Sequence, residues 1–356
     1  MNLSGSKKTL VLAGAVCGIV AAALAFFGNP ANMAICVACF IRDTAGALGL
    51  HQAAAVQYAR PEIIGMVLGA FLIAVATREY RSTAGSSPMT RFVLGMVIMV
   101  GSLVFLGCPL RMIIRMSAGD LNAYIALIGF IGGVATGAVM LKRGFSLGRA
   151  YETHKVNGAV LPIIMAAILI LAAATALLAS SAEGPGSMHA PIIVSLIGGL
   201  VFGVFAQKSR MCFAGSIRDV VLMKNFDLLS VIGGIFVVML VYNIATGNFS
   251  FSFSAPIAHS EHLWNILGMY AVGFAAVLAG GCPLRQLILA GQGSSDAAVT
   301  VLGLFAGAAM CHNFGLASAG ATADSAGGTT PAGRFACVAA IIICFIIAAV
   351  NRRKEN

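Results

Sequence analysis

Apolar runs recur along most of the chain, divided by short polar stretches, and each run is about long enough to cross a bilayer core as a helix. The pattern predicts ten spans, at roughly 10–27, 61–77, 92–107, 121–141, 159–180, 190–206, 228–246, 264–281, 297–312 and 335–350. Glycine pairs at helical spacing inside these runs, Gly14 and Gly18, Gly65 and Gly69, Gly199 and Gly203, predict close helix packing. The first run follows Lys7 and Lys8, is long for a signal-peptide core and has no small-residue cleavage site, so it reads as a retained helix.

Charge orients the spans. Lys7 and Lys8, then Arg78, Arg81 and Arg91, then Lys142, Arg143, Arg149 and Lys155, then Lys208, Arg210, Arg218 and Lys224, and finally Arg352, Arg353 and Lys354 fall on one side if the ten spans alternate. The opposite stretches 181–189, 247–262 and 313–333 hold no basic residue. By the positive-inside rule the basic side and both termini are cytoplasmic, in a bacterial inner membrane.

Composition agrees: 59% of residues are hydrophobic and 10% charged, against about 25% charged in soluble domains. The net charge of +10 lies in short clusters between apolar runs, which argues against nucleic-acid binding. The nine cysteines mostly sit in apolar segments, where they behave as small hydrophobes, and no disulfide framework is expected. No phosphate-binding glycine loop is present, and neither ATP hydrolysis nor any other enzymatic activity is expected.

Chemistry is concentrated in residues that occur twice. Gly-Cys-Pro-Leu-Arg stands at 107–111 and again at 281–285. Upstream of them, Cys36-Val-Ala-Cys-Phe-Ile-Arg-Asp43 is matched by Cys212-Phe-Ala-Gly-Ser-Ile-Arg-Asp219. The chain is therefore expected to be a duplication, 1–182 and 183–356, within one membrane domain. Five spans in each half insert the second copy upside down, so the fold class is an all-α polytopic membrane protein with inverted-topology repeats. Each pentapeptide proline predicts a helix break or re-entrant tip followed by a short half-helix, whose free amides favour an anion.

Cys36, Cys108, Cys212 and Cys282 are the candidate substrate path; apolar surroundings favour their neutral thiols, which make soft contacts to sulfur or selenium. Arg111 and Arg285 have two readings, anion attraction or bonding of free carbonyls at the break, and the sequence leaves both open. Arg42-Asp43 and Arg218-Asp219 read as interfacial ion pairs holding the short segments, and Asp120 and Asp296 as N-caps of the following spans. Arg115 is a secondary anion-attracting candidate. Cys17, Cys311, Cys337 and Cys344 read as packing residues, and His259 and His262 as solvated. Cys36 and Cys39 form the one CxxC, without partner ligands for a metal; no metal and no cofactor are expected.

The two motifs ending in Ile-Arg-Asp, the Gly-Cys segments at Cys108 and Cys282 and the inverted duplication resemble the YeeE/YedE family of sulfur-compound membrane transporters. The stretch from Asn29 to Asp43, with its extra Cys39, is most similar to the YedE branch of selenium transporters. The resemblance implies import of a small selenium- or sulfur-containing anion past Cys36, Cys108, Cys212 and Cys282. The alternative within the family is thiosulfate uptake of the YeeE type. Alternatives of another class are a thiol oxidoreductase using Cys36 and Cys39, and a scaffold for a selenium- or sulfur-handling protein. The expected partners are the substrate, the lipid bilayer and a cytoplasmic sulfur- or selenium-carrier protein. An alkaline phosphatase reporter is expected to be active when inserted in 247–262 and inactive when fused after residue 356; the opposite pattern would reverse the orientation.

Overall fold

The computed structural model describes residues 7–30, 32–322 and 325–352, so Arg353 and Lys354 lie outside the described residues. Among these it contains fourteen α-helices. The first seven are α1 (Lys7–Phe26), α2 (Val37–Ala47), α3 (Pro61–Ala76), α4 (Pro88–Phe105), α5 (Pro109–Ser117), α6 (Leu121–Lys142) and α7 (Lys155–Ala174). The second seven are α8 (Ile192–Lys208), α9 (Phe213–Met223), α10 (Asp227–Ala245), α11 (His262–Ala279), α12 (Pro283–Gly291), α13 (Ser295–Asn313) and α14 (Pro331–Val350). One ladder of two residues per strand, β1 (Thr83–Ala84) with β2 (Tyr151–Glu152), is the strand content. Ten of the segments are long and apolar enough to span a membrane, each overlapping an apolar run in the sequence, and three of them run on through the short helix α5, α9 or α12. This is a multi-pass membrane protein.

Local chemistry places the helix ends. Proline opens α3, α4, α5, α12 and α14, where a missing N–H leaves no bond unmade. Asp120 caps α6 as expected, accepting the Asn122 amide at 3.0 Å. Asp296 does not cap α13. Ser294 does, accepting the Ala297 amide at 3.2 Å, and it is Ser294 that stands at the same distance from its pentapeptide as Asp120. Asp296 instead accepts from the amides of Gly85 and Ser86 and the Ser86 hydroxyl, tying α13 to the turn before α4.

The long helices pair with their backbones in contact: α1 with α10, α3 with α8, α4 with α13 and α6 with α11, while α4 also lies against α11. A Cβ on Gly14, Gly203, Gly95 or Gly133 would strike the backbone of the facing helix in these four pairs respectively. Small residues permit the approach that dispersion contacts require where lipid supplies no hydrophobic drive. The helix order of the first seven recurs in the second seven, and the pairs α1–α10 and α3–α8 exchange under that correspondence, as do α4–α13 and α6–α11. The last helix of each half departs from it: α7 lies on α3 and α12, whereas α14 lies on α4 and α11. The linker ahead of α14 (314–330) is longer than that ahead of α7 (143–154), which gives α14 the reach to cross. Leu12, Ile19, Leu72, Ile193 and Ile346 are exposed on the outside, where lipid replaces water as solvent.

His259 is buried, not solvated: its Nε2 lies 2.7 Å from the Val104 carbonyl. His262 opens α11 and packs at 5.0 Å on Phe253. At the same end, Glu261 accepts from the Thr329 hydroxyl and amide and pairs with Arg334 at 2.8 Å, joining α11 to the start of α14. Burial opposes its charge, but the Thr329 bonds and then Arg334 outweigh that and hold the carboxyl below the ordinary glutamate value. A depressed folded-state value stabilises above the unfolded one and is lost as pH falls through the folded one. Glu261→Gln is therefore expected to lower the melting temperature in detergent at pH 7, and the gap to the parent should close as pH drops below about 4.

Candidate functional site

The four short helices meet inside the ring of long ones, α2 touching α12 and α5 touching α9. Each has one of the four candidate cysteines as its N-cap residue: Cys36 on α2, Cys108 on α5, Cys212 on α9 and Cys282 on α12. The Cys36 thiol accepts the Cys39 amide at 3.4 Å and the Cys212 thiol the Gly215 amide at 3.1 Å, the geometry serine adopts at a helix start. Cys108 and Cys282 precede N1 prolines in extended backbone, leaving their thiols outside the cap. The structure brings the cysteines together as two pairs, Cys36 with Cys108 at 3.7 Å between sulfurs and Cys212 beside Cys282. All nine cysteines are free and buried. Among the described residues no group of three or more His, Cys, Asp and Glu side chains could hold a metal ion.

The pentapeptides break their helices as expected. Leu106 and its counterpart Gly280 close α4 and α11 in the left-handed region, at φ +61° and +86°. Leucine in that region is strained and glycine is not. The motif glycines serve another purpose. A Cβ on Gly107 would lie 2.9 Å from Cδ of Arg111, and one on Gly281 would lie 2.8 Å from Cγ of Arg285. Each glycine leaves room for the arginine four residues on to fold back across the break.

The two breaks satisfy their carbonyls with different residues. At the first, the last carbonyls of α4 are all taken: Leu103 by the Ser318 amide, Val104 by His259 and the Ser318 hydroxyl, Phe105 by Arg115 at 3.2 Å and Leu106 by Arg111 at 2.6 Å. Arg111 is fully buried and spends its remaining donors on Cys39 Sγ (3.4 Å), Asn32 Oδ1 (2.9 Å) and the Ile257 carbonyl (3.0 Å). It is a tie for the break. Arg115 pairs with Asp120 at 2.6 Å and lies over the Phe105 ring, with its Nη2 buried and unpartnered among the described residues. At the second break, the Ala279 carbonyl is taken by Arg91 at 2.9 Å and Gln286 at 3.1 Å, and Gln286 also takes the Gly281 carbonyl. Arg285 makes no hydrogen bond or ion pair among the described residues, and its Nη1 is buried without a partner.

Two cavities open near the short helices, and the second reaches Cys212. The one on the side of the first half's motifs, about 380 Å³, is lined by Asn29, Asn32, Asp120, Asn243 and a run of serines from 250 to 254, with no Lys or Arg. Asn32 crosses its edge to donate to the Pro256 carbonyl at 2.7 Å, next to the bond from Arg111 to Ile257. The other, about 420 Å³, holds Lys208, Arg210, Arg218 and Arg285 with Cys212, against Asp219 and Asp227.

Arg42-Asp43 and Arg218-Asp219 are ion pairs on both short helices, at 2.7 and 2.8 Å. The first is buried, and Arg60 joins it, bonding Asp43 at 2.8 Å while reaching the carbonyls of Met188 and Pro185. Sequence pairing of the halves missed Arg60 because Phe226, not a basic residue, opens the corresponding helix. It also missed Gln286 and Arg91, which have no motif. Asp43→Asn should strip two buried guanidinium groups of their counterion and destabilise the protein by about 3 kcal/mol or more. Asp219→Asn, in a half-exposed pair, should shift stability by less than about 1 kcal/mol, as thermal melts of the two purified variants will show.

Residues 208–355 match the family model described as sulphur transport. A stretch of 113 residues is 27% identical to the thiosulfate transporter TsuA of Spirochaeta thermophila, covering 30% of this chain and 32% of that protein. The match thus spans about a third of the length of this curated relative.

Proposed function

We propose that the chain is a sulphur transporter of the YeeE/YedE kind, as the match of residues 208–355 to the sulphur-transport family model supports, and that it imports a small sulfur- or selenium-containing anion across the bacterial inner membrane. The observation that carries this reading is that Cys36, Cys108, Cys212 and Cys282 are buried N-cap residues of four short helices, grouped as two pairs. Free amides and the positive helix end attract an anion there, and the cysteine sulfurs give it weak, replaceable contacts. Several shallow sites lower the barrier without trapping the ion, as conduction requires.

In this reading the halves 1–182 and 183–356 are inverted repeats. The Cys36–Cys108 pair receives the ion from outside, the Cys212–Cys282 pair passes it inward, and both termini lie in the cytoplasm. Arg42 and Arg218 support the short helices through their aspartates. A cytoplasmic carrier protein that consumes the sulfur or selenium would keep uptake running inward. Thiosulfate is the first substrate to test, because the relative matched above is named for it; selenite follows from the resemblance of the Asn29–Asp43 stretch to the selenium branch.

Uptake of labelled thiosulfate and selenite into proteoliposomes decides the matter. Wild-type protein should accumulate one of the two, and Cys108→Ala and Cys282→Ala should each reduce the rate at least about tenfold, in line with the loss of an interaction made at the barrier. Cys39→Ser should retain most of it. No uptake of either compound, or equal uptake by folded Cys108→Ala and Cys282→Ala protein, would sink the proposal.

A further inference from the structure

The same motif residue meets opposite fates in the two halves. Arg111 is saturated by neutral acceptors, and Arg285, folded across its own break in the same manner, bonds to none among the described residues. The neighbouring residues differ as well. Met112 follows Arg111, whereas Gln286 follows Arg285 and, with Arg91, takes the Ala279 carbonyl, while Gln286 also takes that of Gly281. Arg285 bonds neither of these carbonyls, and its Nη1 stays out of solvent without a partner.

We infer that the cavity over Cys212 and Arg285 is a binding site for a small divalent oxyanion, open to the basic face of the protein. The inference rests on the transport reading only for its physiological ligand. Of the four cations that line the cavity, Arg218 is matched to Asp219 at 2.8 Å and Lys208 to Glu79 at 3.0 Å. Arg285 and Arg210 remain, and Arg210 forms no ion pair or side-chain hydrogen bond among the described residues either. Arg210 is held at φ +53°, a conformation that costs a non-glycine residue energy, two positions before Cys212. Asp227, at the start of α10, is the one lining carboxylate without a salt bridge there.

A charged group buried in a membrane protein without a counterion is expensive and marks a ligand pathway. A guanidinium presents paired donors to two oxygens of a tetrahedral anion at once, which a lone ammonium does not. The α9 amide run begins at the same place with Cys212 as its cap, adding partial positive charge. The other cavity has no cation in its lining, so the two ends of the protein are electrically unlike: one admits, the other holds. An oxyanion retained at the inner end would be the last ion on the path, and its occupancy would set the rate of release.

The test is equilibrium binding of thiosulfate and of sulfate to the full-length protein purified in detergent, measured by titration calorimetry at low salt. Wild-type protein should bind, more weakly as ionic strength rises. Arg285→Gln should weaken binding at least about tenfold, as expected for a charge-assisted pair. Arg210→Gln, at an exposed position that does not endanger folding, should weaken it about threefold or more. Lys142→Gln, on the same basic side but outside the cavity, should bind as wild type does. Equal binding by wild type and folded Arg285→Gln, or no binding of either anion to wild type, overturns the site; if Arg285→Gln does not fold, unchanged binding in Arg210→Gln does so. Binding that persists in a protein without uptake would leave the site standing and remove the transport reading, while uptake without any Arg285 dependence of binding would do the reverse.

Discussion

A helix broken inside a bilayer leaves carbonyls and amides that lipid cannot satisfy, and every such group must find a partner within the protein. Here that demand falls on the two pentapeptide breaks. At the first it recruits His259, Ser318, Arg115 and Arg111, which come from both halves of the chain and from loops far apart in sequence. The interlocking of the halves follows. The loop carrying His259 and the segment carrying Ser318 are held against α4 because the break needs their donors, and the edge of the cavity lined by Asn32 is held by the same arginine that closes the break.

At the second break the same demand is met by Arg91 and Gln286, with a different result. Two identical pentapeptides thus carry arginines with different surroundings, one bonded on all sides and one unpaired among the described residues. The two ends of a nearly symmetric fold can then differ in charge without any change in backbone architecture. One cavity then has no Lys or Arg in its lining, and the other has four.

The cysteines show a related economy. As N-cap residues they take the place of serine or threonine at a helix start, and the sulfurs of Cys36 and Cys212 still accept an amide there. The substitution keeps the cap while presenting a large, soft atom toward the centre. Cys39 has Gly215 as its counterpart, and its sulfur instead accepts a bond from Arg111, so the extra thiol of the first half belongs to the closed break.

Hydrophobic run lengths and the placement of Lys and Arg were enough to determine ten spans, because bilayer thickness sets helix length and backbone satisfaction leaves a lipid-exposed span no alternative but helix. Repetition of Gly-Cys-Pro-Leu-Arg was enough to locate both breaks, because proline and the residue before it have few backbone states. The roles of individual polar residues were not legible in the same way. Arg111 and Arg285 are identical in local sequence, yet one is a tie and the other is unpaired; Asp296 lies near the position of a cap and is something else; His259 sits in a loop and is buried. Each of these depends on which carbonyls and carboxylates arrive from distant segments, and hydrogen-bond partners are decided by tertiary proximity within about 3 Å, which no spacing along the chain encodes.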